Sequence, residues 1–161
     1  MTGAAPDRPY LMPAGPLAAA DAAAALIVDE HGRYLVQLRD AKPTIFFPDH
    51  WGCFGGALEP GESYADGLRR ELEEELGLEI GDAPLRPFTH FTFDLAVMGQ
   101  GAIGRSYFEV RVAASALCRL TLSEGREMRF FPGAALLQER VVPYDRFAIW
   151  MHCYRETLAG A

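Results

Sequence analysis

Between positions 65 and 76, apolar residues recur at the spacing of a helix. They fall on one stripe with acidic residues beside it, so the segment predicts an amphipathic helix with one face against a core. Ser63 suits the N-cap of this helix, and Gly77 suits its C-terminal end. The residues of the stripe are Ala65, Leu68, Leu72 and Leu76.

Shorter apolar runs, several with β-branched and aromatic residues, indicate strands on both sides of this helix. A turn at residues 29 to 32 separates the first two strands, and a glycine-rich turn at 99 to 101 separates two others. The predicted strands cover residues 22 to 28, 34 to 39, 85 to 94, 103 to 113 and 126 to 131.

A second helix is predicted near the C-terminus. Asp145 is expected to cap it, and an apolar stripe is expected to pack into the core. Strands interspersed with two helices favour an α/β fold, in which helices cover a mixed β-sheet as an α/β/α sandwich. The residues of this second stripe are Phe147, Trp150, Met151 and Tyr154.

Length and composition fit one globular domain. Half of the 161 residues are hydrophobic, which is enough for a single substantial core. Residues 1 to 18 are rich in Ala, Pro and Gly and are predicted to form a flexible N-terminal arm. Residues 19 to 161 then form the domain.

Charge and cysteine content narrow the class of function. A net charge of −7 argues against broad nucleic-acid binding, which requires a basic surface. No apolar run reaches the length of a membrane span, and no signal sequence is recognisable. The widely spaced Cys53, Cys118 and Cys153 are typical of reduced core thiols. We therefore expect a cytoplasmic protein with no nucleic-acid or membrane partner.

The acidic side of the first helix is the main candidate for chemistry. Glu71, Glu74 and Glu75 fall within one turn on the same side. Gly67, one turn earlier, is expected to leave that side open. Neighbouring carboxylates repel each other, so a cation should lie between them. Hard divalent ions prefer oxygen ligands, which predicts Mg²⁺, with Mn²⁺ as the alternative.

The segment before the helix is expected to support this site. Gly55 and Gly56 follow an apolar run, where glycines allow the backbone to approach a ligand closely. A carbonyl group there could complete the metal shell. Arg70 precedes Glu74 by four residues and could also reach Glu62, which would hold the loop against the helix.

These residues together resemble the Nudix hydrolases, which cleave nucleoside diphosphates linked to another moiety. The resemblance implies the same sandwich fold. It implies that Glu71, Glu74 and Glu75 are catalytic metal ligands. It also implies that the Gly55 carbonyl is a further ligand, and that Glu62 and Arg70 form a structural pair. Phe54 departs from the proline that the family usually has there. The matching positions are Gly56, Glu62, Arg70, Glu71, Leu72, Glu74, Glu75, Gly77 and Leu78.

A further acid is expected downstream. Residues 123 to 131 resemble the stretch in which many Nudix hydrolases place another catalytic or metal-binding acid before an aromatic strand. Glu124 is the first choice for such a ligand, and Glu127 is the second. Glu109 is the third, because strand alternation separates it from its apolar neighbours. A charged surface loop or a solvent-facing strand position explains these acids equally well.

Two arginines and three aromatic residues are candidates for substrate binding. Arg39 and Arg105 each border a strand, where a guanidinium group could bind phosphate. Surface pairing of Arg39 with Asp40, and of Arg105 with Glu109, is the favoured alternative. Stacking on a nucleobase competes with core packing or a homodimer contact for three residues. These are Phe46, Phe47 and Trp51.

The predicted reaction is attack of water on one phosphorus of a diphosphate, which releases a nucleoside monophosphate. A small-molecule nucleotide with a second moiety is favoured, because the ten-residue loop from 41 to 50 leaves room for it. One alternative is pyrophosphohydrolysis of a nucleoside triphosphate. Another is nucleotide binding without catalysis, which the intact glutamates oppose. A third is isomerisation of an isoprenoid diphosphate through Cys53.

Overall fold

The computed structural model describes residues 19 to 81 and 85 to 160. The predicted arm at residues 1 to 18 lies outside this part. Six strands form one sheet: β1 Ala22–Val28, β2 Arg33–Leu38, β3 Trp51–Gly52, β4 Arg86–Asp94, β5 Ala102–Arg111 and β6 Glu127–Pro132. The helices are α1 Tyr64–Leu76, α2 Gly133–Leu136, α3 Pro143–Cys153 and α4 Arg155–Ala159. Two short 3₁₀ helices cover Ala96–Met98 and Ala114–Arg119.

The sheet is mixed, as predicted. Its strands follow the order β3-β2-β1-β5-β4, and β6 pairs with β2. The central strands β1 and β5 run parallel, from the pair Ala22 and Arg105 to the pair Val28 and Arg111. The other named strand pairs are antiparallel.

Helices cover both faces of this sheet. All seven residues of β1 are buried, as expected for a strand with helices on both sides. Alternate residues enter two separate cores: Leu26 packs with Ile149 of α3, and Ile27 packs with Leu72 of α1. The predicted α/β/α sandwich is therefore confirmed. No helix in the described ranges combines the length and the apolar character needed to cross a bilayer.

The predicted helix α1 forms as its sequence indicates. The Ser63 side chain accepts a hydrogen bond from the backbone of Asp66, which caps the first turn. Gly77 ends the helix with a φ of 63°, a left-handed conformation that glycine adopts without steric cost. Leu68, Leu72 and Leu76 are fully buried, and the partly buried Ala65 packs against the same core.

Two predictions for α3 were wrong. The helix begins at Pro143, and Asp145 is a buried residue inside its first turn rather than a cap. The aromatic stripe faces outward, since Phe147 is 52% exposed and Trp150 is 41% exposed. Polar residues can occupy the inner face because the sheet provides their hydrogen-bond partners. The buried residues of α3 are Asp145, Ala148, Ile149 and His152.

Candidate active site

Glu75 lies where α1 meets the sheet and is only 5% exposed. Its Oε2 accepts a hydrogen bond from the Gly55 amide at 2.8 Å, and its Oε1 accepts one from Gln37 Nε2 at 3.2 Å. Burial raises the pKa of Glu75 to about 7, despite these hydrogen bonds to its ionised form. A carboxylate with a pKa near neutrality can exchange protons at physiological pH.

Glu71 lies one helical turn before Glu75. It contacts the backbone of the segment Gly55 and Gly56, the glycine loop. A Cβ atom on Gly56 would be 2.6 Å from the carboxyl carbon and both carboxyl oxygens of Glu71. Only glycine leaves room for this approach. Burial also raises the pKa of Glu71, although Arg70 favours its ionised form.

Arg70 connects the loop to the acidic side of α1. It donates to Glu62 at 2.9 and 3.0 Å, to Glu71 at 2.8 Å and to the Ala57 carbonyl at 3.0 Å. Its Nη1 also lies 3.3 Å from Glu74, whose side chain is 61% exposed. The predicted pairing of Arg70 with Glu62 is thus present.

The expectation that Gly67 leaves one side of α1 open was wrong. Gly67 is buried, and a Cβ atom there would lie 2.4 Å from Leu58 and 2.9 Å from a carboxyl oxygen of Glu62. The loop packs directly on this turn of the helix. Gly67 therefore lets the loop approach α1.

The carboxylate oxygens of Glu71, Glu74 and Glu75 are the kind of ligand that hard divalent cations prefer. Within residues 19–81 and 85–160, no three His, Cys, Asp or Glu side chains converge closely enough to enclose an ion. Glu71, Glu74 and Glu75 instead form an acidic edge of α1, beside the glycine loop. Such an open oxygen-donor set fits Mg²⁺, which is usually bound by one or two carboxylates together with water and substrate phosphates.

The structure separates the three candidates for the further acid. Glu124 lies near enough that its charge adds to the effect of burial in raising the pKa of both Glu71 and Glu75. Glu127 pairs with Arg129, whose guanidinium lies 5.4 Å from the centre of the Trp51 ring. Since Glu127 and Arg129 share a face of β6, Glu127 points to the α3 side of the sheet, away from α1.

Glu109 does not belong to the acidic edge of α1. Its carboxylate accepts a hydrogen bond from His152 Nε2 at 2.6 Å, on the α3 side of the sheet. Glu109 also pairs with Arg111 at 2.8 Å, and its side chain is only 7% exposed. The solvent-facing alternative for Glu109 was therefore also wrong.

A cavity of about 970 Å³ lies on the α3 side of the sheet and extends to the glycine loop. Arg39, Phe46 and Phe47 line it, as do Gly55 and Gly56. Further wall residues come from β1, β4, β5 and α3. They include Ala22, Phe91, Phe93, Ile103, Arg105, Tyr144 and Phe147.

The substrate-binding prediction for Trp51 was wrong. Trp51 is buried in the core, with its ring 4.9 Å from that of Phe131, and it does not line this cavity. Phe47 does line the cavity, where its ring makes an edge contact with Tyr144 at 5.5 Å. The sequence interpretation missed Phe91 and Phe93 of the wall, although their alternate positions on a predicted strand place them on one face.

The expected surface pairs of the two arginines do not form. Arg39 Nε donates to the Phe46 carbonyl at 3.1 Å, rather than binding Asp40. Arg105 Nη2 donates to Asp145 at 3.1 Å, rather than binding Glu109. Four residues along a strand span about 13 Å, so Arg105 and Glu109 are too far apart to pair.

The cysteines of the described part of the chain are free, and Cys53 is a core thiol as predicted. Cys153 is half-buried and packs against the core, whereas Cys118 is exposed, so the prediction was wrong for Cys118. Burial raises the pKa of the Cys53 thiol well above its usual range. Because the thiolate is the reactive form, Cys53 is poorly suited to the isomerase alternative.

Comparisons with known proteins identify relatives of this chain. The family model for the NUDIX domain matches residues 18 to 151. An uncharacterized Nudix hydrolase of Pseudomonas aeruginosa is 38% identical over 122 residues, covering 74% of this chain and 67% of that protein. Nucleoside triphosphatase NudI of Enterobacter sp. is 37% identical over 71 residues, covering 44% of this chain and 49% of NudI.

A solved structure extends the likeness to the whole fold. The MutT protein of Methanosarcina mazei superimposes with a TM-score of 0.68 at 25% identity, covering 86% of this chain and 94% of that one. The matched family region also contains the acidic edge of α1, the glycine loop and the pairing of Arg70 with Glu62. The chain belongs to the Nudix family and is a Nudix-type hydrolase.

Proposed function

We propose that this protein hydrolyses the diphosphate bond of a nucleoside diphosphate linked to another moiety, and that it releases a nucleoside monophosphate. The observation that carries the proposal is the extent of the cavity. Aromatic side chains line one part of it, and Gly55 and Gly56 line another. Because these glycines contact Glu75 and Glu71, the same cavity can hold a nucleoside and bring its diphosphate to the acidic edge.

The division of charge supports this orientation. Arg39 lines the cavity and has no ion pair with any carboxylate in residues 19–81 and 85–160. Its positive charge is therefore available to phosphate oxygens of the substrate. Aromatic rings such as Phe91 and Tyr144 offer surfaces on which a base can stack.

Divalent metal completes the proposed chemistry. Glu71, Glu74 and Glu75, with Glu124 and the Gly55 carbonyl, are the oxygen donors that would share Mg²⁺ or Mn²⁺ with water and substrate phosphates. The metal would neutralise phosphate charge and lower the pKa of water. Glu75 is the favoured proton acceptor, because hydrogen bonds from the Gly55 amide and from Gln37 fix its carboxylate beside the glycine loop.

Pyrophosphohydrolysis of a nucleoside triphosphate is the second candidate. It is supported by the similarity to NudI, whose name states a nucleoside triphosphatase activity. The cavity volume of about 970 Å³ favours the first candidate, since it leaves room for a second moiety. A cytoplasmic location is part of the proposal, as is the absence of a nucleic-acid partner, and a homodimer stays a prediction.

The test is a panel of nucleotide sugars, ADP-ribose, dinucleoside polyphosphates and nucleoside triphosphates, assayed with Mg²⁺ in ¹⁸O-labelled water. A nucleoside monophosphate is expected in every productive reaction, with label on one phosphorus. Glu75→Gln should lower kcat/KM by about 10²–10⁴-fold. Glu73→Gln, at an exposed position of the same helix, should retain activity. Orthophosphate as the sole phosphorus product would contradict the proposal.

A further inference from the structure

Arg105 offers hydrogen-bond donors to the aromatic part of the cavity while its charge is already neutralised. We propose that Arg105, held by Asp145, reads the edge of the nucleobase. It selects bases with a carbonyl oxygen at position 6 of a purine or position 4 of a pyrimidine, over bases with an amino group there. This inference rests on the proposed function, because it requires a nucleotide in the cavity.

The position of the guanidinium is fixed by its neighbours. Arg105 Nε donates to the Tyr107 hydroxyl at 2.9 Å, and Nη2 donates to Asp145 Oδ1 at 3.1 Å. Its guanidinium carbon lies 4.7 Å from the centre of the Tyr144 ring. Asp145 is held in turn by the Tyr107 hydroxyl at 2.7 Å and the Cys53 amide at 2.9 Å. Arg105 can therefore present its donors in one orientation.

Donors remain for a ligand. Two of the five N–H groups of a guanidinium are used by these contacts, and Nη1 has no partner among the described residues. No fully buried side-chain nitrogen or oxygen in the described part of the chain lacks a partner, so Nη1 must be accessible. Since Arg105 lines the cavity and its side chain is 13% exposed, Nη1 can reach a bound base.

The charge balance favours a base edge over a phosphate group at this position. Asp145 is 3% exposed in its side chain and cancels the positive charge of Arg105 at close range. The pair therefore attracts a phosphate less than the unpaired Arg39 does. A neutral carbonyl oxygen still gains hydrogen bonds from the free donors.

Arg105 lies far enough from the acidic edge to contact the base of a nucleotide whose diphosphate lies at that edge. Its partner across the sheet is Ala22 of β1, which forms a bridge with Ala57 on its other side. Two strand spacings separate Arg105 from Ala57, about 10 Å. Phe91, the partner of Arg105 on β4, lies in the cavity wall. The donors thus lie beside aromatic surfaces, away from the glutamates.

The predicted selectivity follows from the donor-only character of a guanidinium. The 6-oxo group of guanine or hypoxanthine and the 4-oxo group of uracil are acceptors. The amino groups of adenine and cytosine at the same positions are donors and would leave the Arg105 donors unpaired. Loss of such a contact is expected to change kcat/KM by about 5–150-fold.

The experiment compares substrates that differ only at this group. Inosine and adenosine forms of one nucleoside diphosphate derivative, and uridine and cytidine forms of another, are hydrolysed under kcat/KM conditions. The unaltered protein should prefer each oxo base at least about fivefold. Arg105→Lys keeps the charge that Asp145 requires but loses the fork of donors, so the preference should fall toward one. Arg39→Lys, the matched control, should lower both rates while leaving their ratio unchanged.

The outcomes separate this inference from the proposed function. Hydrolysis of both members of each pair at equal rates, or preference for the amino bases, would overturn the role of Arg105 while the hydrolase proposal stands. An unchanged preference in Arg105→Lys would overturn it too. Hydrolysis of no nucleotide would refute the proposed function and this inference with it. If Arg105→Lys does not fold, the double variant R105Q/D145N, which has no charge to leave unpaired, takes its place.

Discussion

Gly56 shows how a single missing side chain shapes the acidic site. A Cβ atom at this position would meet the Glu71 carboxyl group at 2.6 Å. The φ angle of Gly56 lies outside the left-handed region, so the backbone there can accept another residue. Gly56→Ala should therefore displace Glu71 without preventing folding. Since a displacement of about 1 Å at a reacting group can cost about 10²-fold in rate, a loss of that size in kcat/KM is expected.

Steady-state kinetics and a denaturation curve together check this prediction. Gly101→Ala is the matched control, because a Cβ atom there meets nothing within 4 Å. Full activity of Gly56→Ala would mean that the position of Glu71 does not matter for the reaction.

The residues that sequence reasoning identified are those whose meaning lies in local spacing. Glu71, Glu74 and Glu75 are close in the chain, so their shared side follows from helix geometry. Arg105 and Asp145 are 40 positions apart, and only the folded sheet brings them together. Neither side chain carries a local signal that it will be buried, which is why the polar inner face of α3 was missed.

Gly67 tests how tightly α1 packs against the preceding loop, which contains Leu58 and Glu62. Alanine is favoured over glycine in a helix by about 1 kcal/mol, so helix propensity alone predicts that Gly67→Ala stabilises the protein. The structure predicts the opposite, because the new Cβ atom would lie 2.4 Å from Leu58. A net loss of about 1–3 kcal/mol in the free energy of unfolding is expected.

Urea denaturation measures this change. Glu73→Ala, at an exposed position of the same helix, should alter stability by about 0.5 kcal/mol or less. A stabilised Gly67→Ala variant would show that the loop yields easily and that its packing is loose.

Element boundaries were predictable within one or two residues for the longer strands, because apolar alternation and turn residues mark them locally. The inward face of α3 was not predictable in the same way. Its exposed residues Phe147 and Trp150 stack on each other with ring centres 5.9 Å apart, while Asp145 and His152 are buried. Hydrophobicity alone assigns these faces in reverse.

His152 joins α3 to two strands and should make stability depend on pH. Its Nδ1 accepts from Tyr34 on β2 at 2.8 Å, and its Nε2 donates to Glu109 on β5 at 2.6 Å. Burial opposes the charge of Glu109, but hydrogen bonds from Arg111 and His152 lower its pKa from 4.5 to about 2. Burial lowers the pKa of His152, although Glu109 opposes this change.

Both shifts predict destabilisation by acid. The stabilisation from Glu109 is fully present above pH 4.5 and is lost as the pH falls toward 2. His152 adds a loss that begins as the pH falls below 6.5, because the unfolded chain takes up a proton that the folded protein resists. Urea denaturation from pH 7 to pH 3 should show both. Glu109→Gln should flatten the dependence of the unfolding free energy on pH below 4.5. Glu79→Gln, at an exposed position, should leave that dependence unchanged. The same pH dependence in both variants would show that Glu109 does not cause the acid destabilisation.

The distribution of charge over the molecule leads to a prediction about divalent ions. The protein carries a net charge of −7, yet its proposed substrate is anionic. The acidic edge of α1 concentrates repulsion where the diphosphate must bind, so a cation there would serve both folding and substrate binding. A ligand at 100 times its Kd adds about 2.7 kcal/mol to the stability of the native state. For a domain of this size, Mg²⁺ or Mn²⁺ at that level should raise the Tm by about 5–10 °C.

Thermal scans at constant ionic strength, with NaCl as the control salt, measure this shift in Tm. Glu75→Gln should reduce it and Glu73→Gln should not, since only the first loses a carboxylate beside the glycine loop. If neither ion shifts the Tm, with or without nucleotide, the glutamates of α1 do not form a metal site.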